Sequence, residues 1–110
     1  MEIRDLRDDG GREITAYGSS GLTAEALIRS DVAALTVLRV AAGGEIGRHP
    51  TDVEQFLLVL FGRGSVRSGD GPWEPVEAGH LVIWRPGEVH TTRADEDLTA
   101  YVLEASGLLS

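Results

Sequence analysis

Three histidines, His49, His80 and His90, and one carboxamide, Gln55, are the side chains of this chain whose types suit them to hold a ligand. A neutral imidazole is a common metal ligand and equally a hydrogen-bonding group. A carboxamide coordinates a cation through its oxygen and donates through its nitrogen, whereas a glutamate of the same length only accepts. Gln55 is the sole glutamine, and asparagine is absent. Cysteine and lysine are absent too, which excludes disulfides, thiolate ligands, thiol nucleophiles and Schiff-base chemistry. No G-x-S-x-G elbow, phosphate loop or Cys/His zinc pattern occurs, and Asp95 and Asp97 lie in a polar stretch that reads as a solvated turn.

The elements that must position these groups are short strands. A chain of 110 residues with 42% hydrophobic content is one domain with one modest core. Short apolar or alternating runs bounded by Gly, Pro, Asp and Ser predict strands at Ile14 to Tyr17, Ala26 to Arg29, Ala34 to Ala41, Gln55 to Phe61, Gly64 to Arg67, Trp73 to Pro75, His80 to Trp84, Val89 to Arg93 and Leu98 to Glu104. Leu22 to Arg29 is the one stretch that competes as a short helix. Glycine and proline in 68–72 and in 85–88 mark tight turns. If Gln55 faces the interior, strand alternation sends Leu57, Val59 and Phe61 inward with it and Glu54 and Phe56 outward. The run Phe56 to Phe61 is apolar at every position, so both of its faces need cover, and a second copy of the chain is one source of it. The formal charge of −8 repels nucleic-acid phosphates and anionic lipid heads, and no run reaches the length of a membrane span. A cytoplasmic protein without nucleic-acid or membrane partners is expected.

Residues 43–62 and 79–90 resemble the two motifs of the cupin superfamily, G-x5-H-x-H-x3-E-x6-G and G-x5-P-x-G-x2-H. The resemblance covers about half of the chain. It implies an all-β fold, a double-stranded β-helix or jelly-roll barrel formed by 1–110 as a single domain, with residues 1–11 as an arm or edge strand. It also sets His49 and His90 on the first and last metal-ligand positions of that superfamily, with Thr51 in place of its second histidine and Gln55 in place of its glutamate. Gly62 lies seven residues after Gln55, as the motif requires, which favours Gln55 over Glu54 as the inward residue.

A divalent ion, zinc, nickel, manganese or iron, held by His49, Gln55 and His90 is therefore one expectation, with no organic cofactor. Thr51, Arg48, Arg93 and Trp84 are candidates for the surrounding pocket, although Thr51 beside Pro50 also suits a turn and Trp84 also suits core packing. His80 reads as a surface residue. A second expectation is a metal-free pocket or sensor module that takes a small molecule through hydrogen bonds from His49, Gln55, His90 and Arg48 or Arg93, and a third is a structural or interaction domain with no ligand. If the protein is an enzyme, the resemblance implies metal-dependent oxygenase, isomerase, cyclase or lyase chemistry on a small oxygenated substrate. Cupins commonly pair through a sheet, and a homodimer is expected.

Overall fold

The computed structural model describes residues 1–6 and 11–107, so residues 7–10 of the expected arm, and residues 108–110, lie outside the described residues. Among the described residues nine strands form one curled antiparallel sheet: β1 Arg12–Ile14, β2 Ser20–Arg29, β3 Ala33–Pro50, β4 Glu54–Phe61, β5 Arg63–Ser68, β6 Glu74–Glu77, β7 Leu81–Trp84, β8 Val89–Ala94 and β9 Leu98–Ala105. The order is β6-β5-β8-β3-β9-β4-β7, with β2 also on β3 and β1 on β2. Strand β3 is 18 residues long and serves both halves of the barrel: its first part pairs with β2 and β9, its last part with β8. This is the expected all-β double-stranded β-helix. Among the described residues no helix is long and apolar enough to cross a membrane.

Alternation builds the core. In β9, Leu98, Ala100 and Val102 are buried while Thr99 and Tyr101 are half-buried on the other face. Leu57 and Val59 of β4, Leu22 of β2, Val40 and Ile46 of β3, Val66, Val76 and Trp84 join them from the other strands in one cluster. The tight turns fall where glycine and proline mark them. Gly71 N–H donates to Ser68 O between β5 and β6, and Glu88 N–H donates to Arg85 O between β7 and β8.

Several expected elements differ in extent. The strand expected at Ile14 to Tyr17 stops at Ile14, and Ala16–Gly18 forms a 3-10 turn in which Tyr17 takes a left-handed φ of 59°. Leu22 to Arg29 is strand, not helix, because it is zipped along its length to β3. The strand expected to end at Ala41 runs on to Pro50. Phe61 faces outward, against expectation. Val59 pairs with Ala100 and Phe61 with Thr99, so Leu60 is an extra residue in β4, and this bulge reverses the face of everything after it. Phe61 is 68% exposed as a result.

Candidate functional site

His49 and His90 meet because they are directly opposed partners on the neighbouring strands β3 and β8. They stand side by side on one sheet. Their rings contact edge to face with centroids 4.4 Å apart. A bulge makes this possible. Ile46 pairs with Thr92 and His49 with His90, so β3 spends three steps where β8 spends two. Ile46 faces the core, and strict alternation after it would aim Arg48 inward. The extra residue instead aims His49 inward and leaves Arg48 outside, where its Nη1 donates to Asp70 Oδ1 at 2.7 Å. Gly47 lies in the bulge, and a Cβ built there would collide with the Tyr17 carbonyl oxygen. Only glycine lets the Ala16–Gly18 turn close down on β3. That closure stacks the Tyr17 ring on His49, centroids 5.2 Å apart.

Each imidazole is oriented by a backbone carbonyl. His49 Nδ1 lies 2.7 Å from Gly47 O and His90 Nδ1 lies 3.3 Å from Glu88 O. A carbonyl only accepts, so in the neutral rings the proton sits on Nδ1 and the Nε2 lone pair is presented. His90 is stacked on Trp84, centroids 4.3 Å apart, and is 2% exposed. Burial, aided by the neighbouring His49, pushes its pKa down to about 4, which keeps it neutral. The segment before β4 is locked to the turn before β8: Thr51 N–H donates to Glu88 O and Gly87 N–H to Thr51 O. The Thr51 hydroxyl donates to Val53 O at 2.7 Å, so this buried threonine shapes the turn between β3 and β4.

One register row carries Arg29, Ala34, Glu104, Gln55 and Trp84 on β2, β3, β9, β4 and β7. Gln55 Nε2 donates to Glu104 Oε1 at 2.7 Å. A bulge in β2 between Ala26 and Ile28 turns Arg29 to the inner face and Ile28, 60% exposed, to the outer one. The next inner row, Ala26, Thr36, Val102 and Leu57, is nearly apolar, and the rows beyond it, through Leu38, Ala100 and Val59 to Leu22, Val40 and Leu98, are wholly so. The two halves of the barrel enclose a cavity of about 480 Å³. Its closed end is apolar, with Leu22, Leu57 and Val102 each 3% exposed. Its open end is polar, with His49, His90, Gln55, Glu104 and the exposed Arg29.

The cavity thus brings His49, Gln55 and His90 into one lining. Arg48, Arg93, Thr51 and Trp84 do not line it. Arg93 lies on the outer side of β8, where its guanidinium covers Trp73 at 4.0 Å and its Nε donates to Glu45 Oε1 at 3.2 Å. Trp84 sits behind His90. Exposed His80 accepts the Glu77 N–H through Nδ1 at 3.0 Å, a turn contact. Sequence reasoning missed Glu104 and Tyr17. The period of Leu98, Ala100 and Val102 pointed Glu104 inward. Tyr17 had no comparable signal, because its place depends on the turn that Gly47 admits.

The donor set fits a divalent ion in part. Two Nε2 lone pairs carry no partner among the described residues, and each ring is held through Nδ1 as metal-ligating histidines are. Among the described residues, however, no three His, Cys, Asp or Glu side chains are placed to hold a metal together. Gln55, which lines the same cavity, offers a neutral amide oxygen as a further donor.

A family model described as a cupin domain matches residues 36–106. No curated protein matches the chain. Among solved structures, a Cupin 2 conserved barrel domain protein from Salinispora arenicola is 26% identical with a TM-score of 0.79, over 97% of this chain and 90% of that one. The polyketide cyclase RemF from Streptomyces resistomycificus is 22% identical with a TM-score of 0.82, over 96% of this chain and 78% of that one. A predicted oxalate decarboxylase from Thermotoga maritima is 21% identical with a TM-score of 0.81, over 96% and 99%. These neighbours differ in activity, so their likeness carries the fold alone. With the match over 36–106 and the paired motif histidines of β3 and β8, the chain belongs to the cupin superfamily.

Proposed function

We propose that this protein is a small-molecule-binding cupin whose ligand places an apolar body in the barrel and a polar group against His49, His90, Gln55 and Glu104. The observation that carries this reading is the cavity of about 480 Å³, apolar at its closed end and polar at its open one. That volume lies in the usual range for small-molecule sites, which are mostly apolar with a few placed polar groups. Titrating 2-naphthylmethanol into the protein tests it by heteronuclear NMR. Saturable shifts centred on Leu57, Val102 and Thr36 support it, and their loss in Val102→Trp, which fills the chamber, completes the test. Saturable shifts confined to the outer surface, or none, overturn it.

A weak divalent-metal site at the same end is favoured by one specific observation, the two Nδ1–H groups held by Gly47 O and Glu88 O. His49 and His90 would hold the ion with the Gln55 oxygen. Such an ion polarises a ligand oxygen or lowers the pKa of a bound water. The protein's own part is to keep His90 neutral by burial and to fix both rings. Two imidazoles and an amide bring no negative charge to offset desolvation of the ion, so binding is weak. Calorimetric titration with zinc checks this: binding that His49→Ala and His90→Ala each abolish supports the site, and binding that survives both places the ion elsewhere.

A further inference from the structure

The polar end of the cavity is rich in acceptors and poor in donors. His49 and His90 each spend Nδ1–H on a backbone carbonyl and turn Nε2, a lone pair, to the remaining space. Gln55 spends one N–H on Glu104 Oε1. This leaves the Gln55 oxygen and the second Glu104 oxygen without a partner among the described residues. Four acceptors therefore face one remaining Gln55 N–H and the hydroxyls of Tyr17, Ser19, Thr36 and Thr92, each of which either donates or accepts. Among the described residues the one cationic side chain of the lining is Arg29, on the exposed rim at the end of β2. A ligand that brings acceptors alone leaves both Nε2 lone pairs and the free Gln55 and Glu104 oxygens without a donor, and a carboxylate adds repulsion from Glu104.

Building on the proposed binding role, we infer that the cavity selects ligands whose polar group donates hydrogen bonds. The class is an apolar body of one or two rings, or an equivalent alkyl chain, ending in a hydroxyl or an ammonium group. Carboxylates and phosphates of the same outline are rejected. Glu104 is the residue that sets the preference, because its unpaired oxygen is the strongest acceptor of the set and a charge-assisted hydrogen bond to it is the strongest on offer.

Three probes of one outline test this: 2-naphthylmethanol, 2-naphthylmethylamine, which is an ammonium at pH 7.5, and 2-naphthoate. Affinities are measured by NMR titration on protein dialysed against a chelator, so that no metal contributes. The ammonium and the alcohol are expected to bind at least about tenfold more tightly than the carboxylate, and Glu104→Gln is expected to weaken the ammonium about tenfold while changing the alcohol less. Naphthoate binding as tightly as the other two overturns this inference and leaves the binding role standing, the more so if Arg29→Ala then removes naphthoate. Failure of all three to bind overturns both.

Discussion

At the scale of single residues, the pair Gln55 and Glu104 governs what position 55 tolerates. The Gln55 amide donates to Glu104 Oε1 at 2.7 Å, so Gln55→Glu sets two carboxylates where a donor and an acceptor stood. Without metal this variant should lose about 2 kcal/mol at pH 7.5, and part of the loss should return on adding zinc or on acidifying to pH 5. Urea unfolding under the three conditions checks it; equal stability at pH 7.5 would mean that the Gln55 to Glu104 bond is not made. His90 gives a second expectation. The unfolded imidazole protonates near 6.5 and the folded one only near 4, so between those values the unfolded chain binds more protons and stability falls as the pH drops. Above pH 6.5 both forms are neutral and the residue adds no pH dependence. From pH 7.5 to pH 5 the parent should lose about 1 kcal/mol more than His90→Gln, allowing for screening by solvent at the open end. An identical acid loss in both proteins would place the sensitivity elsewhere.

At the scale of elements, bulges decide which side chains reach the cavity. The bulge at Gly47 brings His49 in and leaves Arg48 out, the one in β2 brings Arg29 in, and the one in β4 sends Phe61 out. Each adds one residue to a strand, and one residue is half a strand period. This explains how much of the site was legible in the sequence. The motif histidines, Gln55 and the turns at 68–72 and 85–88 were legible, because glycine, proline and fixed spacing mark them locally. The inward placement of Glu104 was legible from the alternation of β9, but only once its register against Gln55 was known. Phe61 as an inward residue came from carrying alternation through a bulge that nothing in residues 59–61 marks by composition, whereas Gly47 is the residue type that marks the bulge in β3. Gly47→Ala tests the argument. Its Cβ would strike the Tyr17 carbonyl, so the Ala16–Gly18 turn must lift from β3. We expect a loss of about 3 kcal/mol or more, as for other strained or overpacked sites, together with shifts of the His49 ring resonances as Tyr17 unstacks. Unfolding and NMR read both, and a variant as stable as the parent would show that the turn is not packed there.

At the scale of the whole molecule, the outer face of the sheet around β4 is too apolar for a surface bathed in water. Phe56 pairs with Ile83 and Leu58 with Leu81 across β4 and β7, and on the other side Phe56 pairs with Leu103 and Leu58 with Tyr101 of β9. Leu58 is 38%, Ile83 39%, Leu81 51% and Phe61 68% exposed, so these side chains form a contiguous apolar patch and are not scattered singles. The chain covers part of the same face further along. Arg39 Nη2 donates to Leu6 O at 2.6 Å, and this lays the N-terminal segment beside Val37, which is 1% exposed. Leu6 lines one groove with Phe61 and Tyr101, whereas Leu58, Leu81 and Ile83 stay 38%, 51% and 39% exposed. We propose that a second copy of the chain covers the patch, because a two-fold contact places the same apolar strand on both sides and closes the assembly without leaving a further apolar surface. Ile83→Glu should then give a folded monomer, since two buried carboxylates would face each other near the dyad with no cation to pair them. Sedimentation of the parent at about 50 µM, well above typical dissociation constants for stable interfaces, should show a dimer, and the variant a monomer with an unchanged far-ultraviolet spectrum. A monomeric parent at that concentration would mean that a different partner, or solvent alone, meets this face.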